Sequence, residues 1–135
     1  MKIVAIIPAR GGSERLKNKN IYPVNNKPMI QYTIEACQKS KYEIEIWVSS
    51  DCDIIKSVLN DLKINIHHRS EENSVNSAYK QAAIREAASH IVEKQGTPDL
   101  FLSLQANSPT MTSKEIDNCI DTLIKYNRDE IISVD

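Results

Sequence analysis

A short cationic segment containing two adjacent glycines follows the first apolar run of the chain. The run ends at Pro8, and positions 9–20 read Ala-Arg-Gly-Gly-Ser-Glu-Arg-Leu-Lys-Asn-Lys-Asn. Gly11 and Gly12 are two of the three glycines in the chain, and glycine lets a ligand approach bare backbone N–H groups. Arginine binds phosphate oxygens as a planar fork and lysine as a point charge. We therefore predict a polyphosphate site here, the phosphate loop (residues 9–20), with a solvated basic turn as the alternative.

A second polar segment, Gln105-Ala106-Asn107-Ser108-Pro109, follows a later apolar run. The side-chain amides of Gln105 and Asn107 can distinguish hydrogen-bond donors from acceptors on a base or a sugar. Ligands of open α/β sheets bind beyond the carboxyl ends of the strands, where the strand order reverses. If the first and fourth strands are neighbours, this segment faces the phosphate loop across that crevice. Without the phosphate loop, the two amides would be interpreted as ordinary turn residues.

Apolar runs alternate with helical periodicity along the whole chain, and this alternation predicts the fold. The predicted strands are Lys2–Pro8, Ile44–Ser49, Ile64–His68, Leu100–Leu104 and Ile131–Val134. The predicted helices run from Pro28 to about Ser40, over Ile54–Leu59, from Ser74 to Lys94, and onward from a capping box at Thr112–Glu115. Gly96 and Pro98 are expected to stop the third of these helices. Such alternation is typical of a parallel sheet with right-handed crossovers. We predict an α/β fold, a single three-layer α/β/α domain over residues 1–135, with a mostly parallel twisted sheet in the order 3-2-1-4-5.

Composition narrows the class of protein. A net charge of −1 over 135 residues argues against a general nucleic-acid or membrane-surface binder, because both need a broad basic field. Cys37, Cys52 and Cys119 are widely spaced and odd in number, which favours reduced, mostly buried thiols. No signal-peptide pattern or transmembrane-length run is present, so we expect a cytoplasmic protein.

Histidines and aromatic residues do not suggest a further site. His67 and His68 are adjacent on a predicted strand and should point to opposite faces, with no third metal ligand placed. His90 is interpreted as a surface residue of a helix without a partner, and Trp47 as a packing residue rather than a base-stacking one.

The phosphate loop matches neither of the two common nucleotide-binding fingerprints, Gly-x-Gly-x-x-Gly and Gly-x-x-x-x-Gly-Lys-Ser/Thr. Instead, Ile7-Pro8-Ala9-Arg10-Gly11-Gly12-Ser13 with Lys19-Asn20 resembles the opening signature of the sugar-activating cytidylyltransferases. The resemblance is strongest to the CMP-sialic acid synthetases and their relatives that act on other nonulosonic acids. It continues through the segments Lys27-Pro28-Met29-Ile30, Val48-Ser49-Ser50-Asp51, Arg69 and Leu104–Pro109, and so covers essentially the whole chain.

This resemblance implies a Rossmann-like nucleotidyltransferase fold and transfer of CMP from CTP to a 2-keto-3-deoxy sugar acid, with release of pyrophosphate. It implies Arg10 and Lys19 as catalytic residues, and it places the nucleotide on Ala9, Arg10, Gly11, Gly12, Ser13, Arg15, Lys19, Asn20 and Arg69. Gln105 and Asn107 would bind the sugar acid. A divalent cation such as Mg²⁺ would bridge the phosphates, with no metal ligand in this chain. We expect the chain to be the front portion of a longer cytidylyltransferase, for which a homodimer is compatible with the resemblance.

Two other functions stay open at this point. Glu14 stands where the family usually has a lysine, and residues 70–76 replace its usual proline and Asp-rich turn. Both differences favour a CTP-binding module with weak or no catalysis. A nucleotidyltransferase acting on sugar 1-phosphates is the third hypothesis, although it would call for a longer glycine-rich loop.

Overall fold

A computed structural model describes residues 1–9, 23–24, 27–50, 62, 64–68, 80–105 and 112–126. In chain order, the elements are β1 (Ile3–Pro8), β2 (Pro23–Val24), β3 (Lys27–Pro28), α1 (Met29–Gln38), β4 (Ile44–Ser50), β5 (Asn65–His68), α2 (Lys80–Gln95), β6 (Leu100–Ser103) and α3 (Ser113–Lys125). Within this part of the chain, no helix combines the length and the apolarity needed to span a bilayer.

The main sheet has four described strands in the order β5-β4-β1-β6, and every neighbouring pair is parallel. The order agrees with the predicted 3-2-1-4, and the predicted fifth strand, Ile131–Val134, lies outside the described residues. The chain proceeds from β1 through β4 to β5 on one side and then returns to place β6 on the other side of β1. The strand order therefore reverses between β1 and β6, where α/β sheets bind their ligands.

The side chains of β1 alternate between the two faces of the sheet, and all of them are apolar. Both faces must therefore be shielded from water, and helices cover each of them. On one face, α1 and α3 pack with Ile3, Ala5, Ile7, Ala9, Ile30, Ile34, Ala36, Cys37, Ile46, Val48, Ile116 and Ile120 in one buried cluster. On the other face, α2 contributes Ala87 and Ile91 to a cluster with Val4, Ile6 and Trp47. This is the predicted three-layer α/β/α arrangement.

The carboxyl end of α2 and the amino end of α3 lie where the sequence predicted them. Helix α2 ends at Gln95, and Gly96 adopts a left-handed conformation with φ of 88° while its N–H donates to the carbonyl of Val92. Thr112 caps α3, since its hydroxyl accepts a hydrogen bond from the backbone N–H of Glu115 at 3.2 Å. Both ends thus lie at the residues that glycine and the capping box indicated.

A small antiparallel hairpin, β2–β3, is the feature that the hydrophobic pattern did not predict. Pro28 belongs to β3, and α1 begins at Met29 rather than at Pro28. The prediction was wrong here because Pro at a first helical turn and Pro in a short edge strand have the same fixed φ. The predicted helix over 54–59, and the part of the predicted third helix before Lys80, lie outside the described residues.

Hydrogen bonds from polar groups connect helix α3 to the segment after α1. Asp117 accepts hydrogen bonds from the Ser40 hydroxyl and the Lys41 backbone N–H. Asp121 accepts one from Lys41 Nζ at 2.6 Å and another from the Tyr42 hydroxyl. The two hydrogen bonds to Asp121 lower the pKa of its carboxyl, the bond from Lys41 most and that from Tyr42 next.

Candidate nucleotide site at the carboxyl edge of the sheet

The first residue of the phosphate loop is held firmly against the next strand. Ala9 follows β1 directly, is fully buried, and donates its backbone N–H to the carbonyl of Ser49 at 2.8 Å. That bond extends the β1–β4 ladder one residue beyond the last strand pair, Pro8 with Ser49. The position of Ala9, the first residue of the phosphate loop, is therefore fixed by the sheet.

Gln105 lies at the same edge of the sheet, two residues beyond the end of β6, the strand next to β1. The ladder between β1 and β6 continues past Ser103, since the N–H of Leu104 donates to the carbonyl of Ile6 at 3.1 Å. One residue later, the Gln105 carbonyl accepts a 2.9 Å hydrogen bond from the hydroxyl of Thr33, a fully buried residue of α1. The Gln105 residue itself is exposed. Its backbone is thus fixed while its side chain faces solvent, as a ligand-binding amide requires.

The site prediction required the first and fourth predicted strands to be neighbours, and they are. Strands β1 and β6 are direct neighbours, so Ala9 and Gln105 follow parallel strands at the point of strand-order reversal. The other residues predicted for the site lie outside the described residues: Arg10, Gly11, Gly12, Ser13, Arg15, Lys19, Asn20, Arg69 and Asn107. Their roles remain predictions.

A group of polar side chains on the α2 face, not foreseen from the sequence, lies beside Ala9. We call Ser49, His67, Glu86 and His90 the His67 cluster. Ser49 Oγ lies 2.9 Å from His67 Nδ1, and Glu86 Oε1 lies 3.8 Å from His67 Nε2. The ring centroid of His90 is 5.1 Å from that of His67. Ser49 and His67 are both buried, at 0% and 5% exposure.

The cluster corrects the interpretation of His90 as a helix residue without a partner. His90 is exposed as predicted, but its ring contacts both His67 and, at 5.8 Å between centroids, Trp47. Trp47 is 2% exposed and packs in the core, so its interpretation as a packing residue is confirmed. The available signal was helical spacing, because Glu86 and His90 are four residues apart and must share the face of α2 that carries Ala87 and Ile91.

Lys27, part of one segment that carries the family resemblance, has a structural role. Its Nζ lies 2.6 Å from Glu35 Oε2 and 4.9 Å from the ring centroid of Tyr32. The hydrogen bond from Lys27 is the main cause of the lowered pKa of the Glu35 carboxyl. Lys27 therefore ties β3 to α1.

The described cysteines agree with the prediction of buried thiols. Cys37 is buried in the core, and this burial raises its pKa to about 12, so the thiol is protonated and unreactive at neutral pH. Cys119 is a half-buried free thiol on α3, and Cys52 lies outside the described residues. The described part of the chain contains no group of three or more His, Cys, Asp or Glu side chains arranged to hold a metal ion.

Comparison with known proteins gives the family. The cytidylyltransferase family profile matches residues 4–134, which include both the phosphate loop and the segment 105–109. N-acylneuraminate cytidylyltransferase A of Danio rerio is 32% identical over 132 residues, which are 98% of this chain and 30% of that protein. The 3-deoxy-manno-octulosonate cytidylyltransferase of Bdellovibrio bacteriovorus is 29% identical over 92% of this chain and 47% of its own length.

Solved structures show the same fold. A CMP:2-keto-3-deoxy-manno-octonic acid synthetase complexed with CTP superposes with a TM-score of 0.77 at 23% identity, over 93% of this chain and 48% of that one. A cytidylyltransferase from Leptospira borgpetersenii gives a TM-score of 0.71 at 22% identity, over 96% of this chain and 51% of its own. The chain thus spans between about a third and a half of the length of these relatives. With the family match extending over nearly every residue, the chain belongs to the cytidylyltransferase family.

Proposed function

We propose that this chain is the nucleotide-binding part of an enzyme that transfers CMP from CTP to a nonulosonic (2-keto-3-deoxy) sugar acid such as sialic acid. The observation that carries the proposal is the family match over residues 4–134, because it includes both segments predicted to contact substrates. The geometry supports it, since Ala9 and Gln105 leave adjacent parallel strands at the reversal of strand order.

In this reaction the oxygen of the sugar acid's anomeric hydroxyl attacks the α-phosphorus of CTP. The bond from that phosphorus to the β-phosphate oxygen breaks, pyrophosphate leaves, and the hydroxyl proton passes to a base or to water. Such transfers depend on positioning and charge stabilisation more than on a covalent nucleophile. Arg10 and Lys19 are proposed to stabilise the growing negative charge on the phosphates, as preorganised cations do at other phosphoryl-transfer sites.

The remaining residues of the site are proposed to bind and orient the substrates. Gly11, Gly12 and Ser13 would donate backbone and hydroxyl hydrogen bonds to the triphosphate, with Arg15 and Asn20 beside it. Arg69 would lie near the cytosine, and Gln105 and Asn107 near the sugar acid. The exposed side chain and fixed backbone of Gln105 suit such contacts.

Mg²⁺ is proposed to bind mainly through the triphosphate oxygens. Magnesium commonly keeps several waters and uses one or two carboxylates with substrate phosphates, so a dedicated protein cage is not required. When bound, the ion would neutralise phosphate charge.

A second candidate is a CTP-binding module of the same fold with weak or no catalysis. It is favoured by Glu14, a carboxylate within the phosphate loop that would repel a triphosphate unless a neighbouring cation neutralises it.

The test is pyrophosphate release from CTP by the full-length gene product, with a panel of 2-keto-3-deoxy sugar acids and with sugar 1-phosphates as the comparison. We expect release that requires CTP and one or more of the sugar acids. Binding of CTP without turnover of any sugar acid would favour the binding module. Turnover with a sugar 1-phosphate alone would contradict the proposed acceptor.

A further inference from the structure

The His67 cluster is connected to the phosphate loop through a single residue. Ser49 has its side chain against His67 Nδ1 and its backbone carbonyl against the N–H of Ala9. Ala9 is the last described residue before the charged part of the loop. Ser49 therefore contacts a buried imidazole through its side chain and the backbone just after β1 through its carbonyl.

We propose that His67 is a positioning residue for nucleotide binding, acting through Ser49 to hold Ala9 and thereby the start of the phosphate loop. The inference rests on the proposed function and adds to it a residue from β5, a strand distant in sequence from the loop. His67 is not among the residues predicted to contact a substrate, so the proposed effect is indirect.

The surroundings of His67 favour a hydrogen-bonding side chain at this position. Most of the α2 face consists of apolar residues such as Val4, Ile6 and Ile91, and a buried polar group there is unfavourable unless it is hydrogen-bonded. The register pairs Ser49 with His67 directly, which brings the hydroxyl within 2.9 Å of the ring. A leucine of similar size would fill the space but would leave the Ser49 hydroxyl without this partner.

The arrangement around the ring also favours one tautomer. The Glu86 carboxylate faces Nε2 at 3.8 Å and favours a proton on that nitrogen. In the neutral ring, Nδ1 then accepts the hydrogen bond that the Ser49 hydroxyl donates. Asparagine can place an amide group near the position of Nδ1, whereas the amide of glutamine reaches toward the position of Nε2. Substitution by asparagine can therefore keep the hydrogen bond to Ser49, and substitution by glutamine can keep the contact with Glu86, so the two variants test these interactions separately.

The experiment measures steady-state pyrophosphate release by the full-length protein carrying His67→Leu, His67→Asn or His67→Gln. We expect His67→Leu and His67→Gln to raise the KM for CTP about tenfold with kcat within about twofold of wild type, as for loss of one buried hydrogen bond. His67→Asn should return KM to within about threefold of wild type. Ser89→Ala, at an exposed serine of α2, is the control and should leave KM unchanged.

The outcomes separate this inference from the proposed function. A wild-type KM in folded His67→Leu, or equal impairment of the Asn and Leu variants, would overturn the positioning role while CTP turnover by the wild type stands. If His67→Leu fails to fold, Ser49→Ala provides the test, because it removes the hydroxyl and keeps the imidazole. A Ser49→Ala enzyme with normal KM would overturn the inference. A wild-type protein that neither binds nor consumes CTP would contradict the proposed function itself.

Discussion

Charge and backbone freedom are concentrated in one short segment of this chain. Arginine, lysine and paired glycine together predict a phosphate site directly after β1, and the residues 10–20 that carry this prediction lie outside the described part of the chain. The structure adds the fixed exit at Ala9, whose N–H bonds Ser49. The sequence could not predict the hydrogen bond between Ser49 and His67, because it depends on the register of two strands that have 14 residues, 51–64, between them.

Replacing the cations of the phosphate loop should damage CTP use strongly. We expect Arg10→Ala and Lys19→Ala each to lower kcat/KM for CTP on the order of 100-fold, because each removes a charge that is proposed to stabilise the transition state. Lys125→Ala, at the exposed end of α3, is the matched control and should stay within about twofold of wild type. Unchanged kinetics in both loop variants would show that the phosphate loop is assigned wrongly.

Among the elements, α1 contacts the segment just after β6, because the Thr33 hydroxyl donates a hydrogen bond to the Gln105 carbonyl. Thr33→Val removes the hydroxyl that bonds the Gln105 carbonyl and should lower the free energy of unfolding by about 1 kcal/mol. It should also raise the KM for the sugar acid more than the KM for CTP, because Gln105 is proposed to contact the former. Thr33→Ser keeps the hydroxyl and is the control. Equal kinetics for the Val and Ser variants would argue against support of the site by α1.

The attachment of α3 to the segment after α1 should depend on pH. The pKa of Asp121 lies below the usual aspartate value of 3.8, mainly because of the hydrogen bond from Lys41. A carboxyl with a lowered folded-state pKa stabilises the fold above its unfolded pKa, and this contribution disappears as the pH falls through the folded value. Asp121→Asn should therefore be less stable than wild type at neutral pH, and the difference should shrink below about pH 3.9.

Acid titrations followed by circular dichroism test this dependence. Glu93→Gln, at an exposed carboxylate of α2, serves as the control for loss of one negative charge. A difference between Asp121→Asn and wild type that stays constant from neutral to strongly acidic pH would contradict a role for the ionised carboxylate.

Elements with strong local signals were predictable, and those that depend on tertiary contacts were not. The capping box at Thr112 and the stop at Gly96 act within a few residues, so the ends of α3 and α2 could be predicted. The hairpin β2–β3 pairs only two residues on each side, one of them a proline in each strand. Too few side chains alternate there to produce a recognisable pattern.

At the level of the whole molecule, the two buried faces of the sheet hold the strands in the order that brings Ala9 and Gln105 to one edge. The alternation of strands and helices predicted a parallel sheet with right-handed crossovers. That the first and fourth predicted strands are neighbours was a condition of the site prediction, and the structure meets it. Substrate identity is not predictable in the same way, because it depends on a few contacts rather than on the overall pattern of apolar residues. The chain also spans only 30% and 47% of two of its relatives.

The α2 layer should contribute a large part of the stability. Ile91 is fully buried against β1 and β4, whereas its neighbour Val92 is 37% exposed. Ile91→Ala should lower the free energy of unfolding by about 2–5 kcal/mol through lost burial and a residual cavity. Val92→Ala should change it by no more than about 0.5 kcal/mol. Chemical denaturation of both variants provides the comparison, and similar losses would mean that α2 does not pack as described.

We propose that the full-length protein joins CMP to a sugar acid. Phosphorus NMR of the full-length protein with CTP, Mg²⁺ and a 2-keto-3-deoxy sugar acid tests it directly, because a CMP phosphodiester and pyrophosphate have separate signals. We expect both signals to grow in equal amounts, and only when the sugar acid is present. Bound CTP that yields no phosphodiester with any sugar acid of the panel would contradict it.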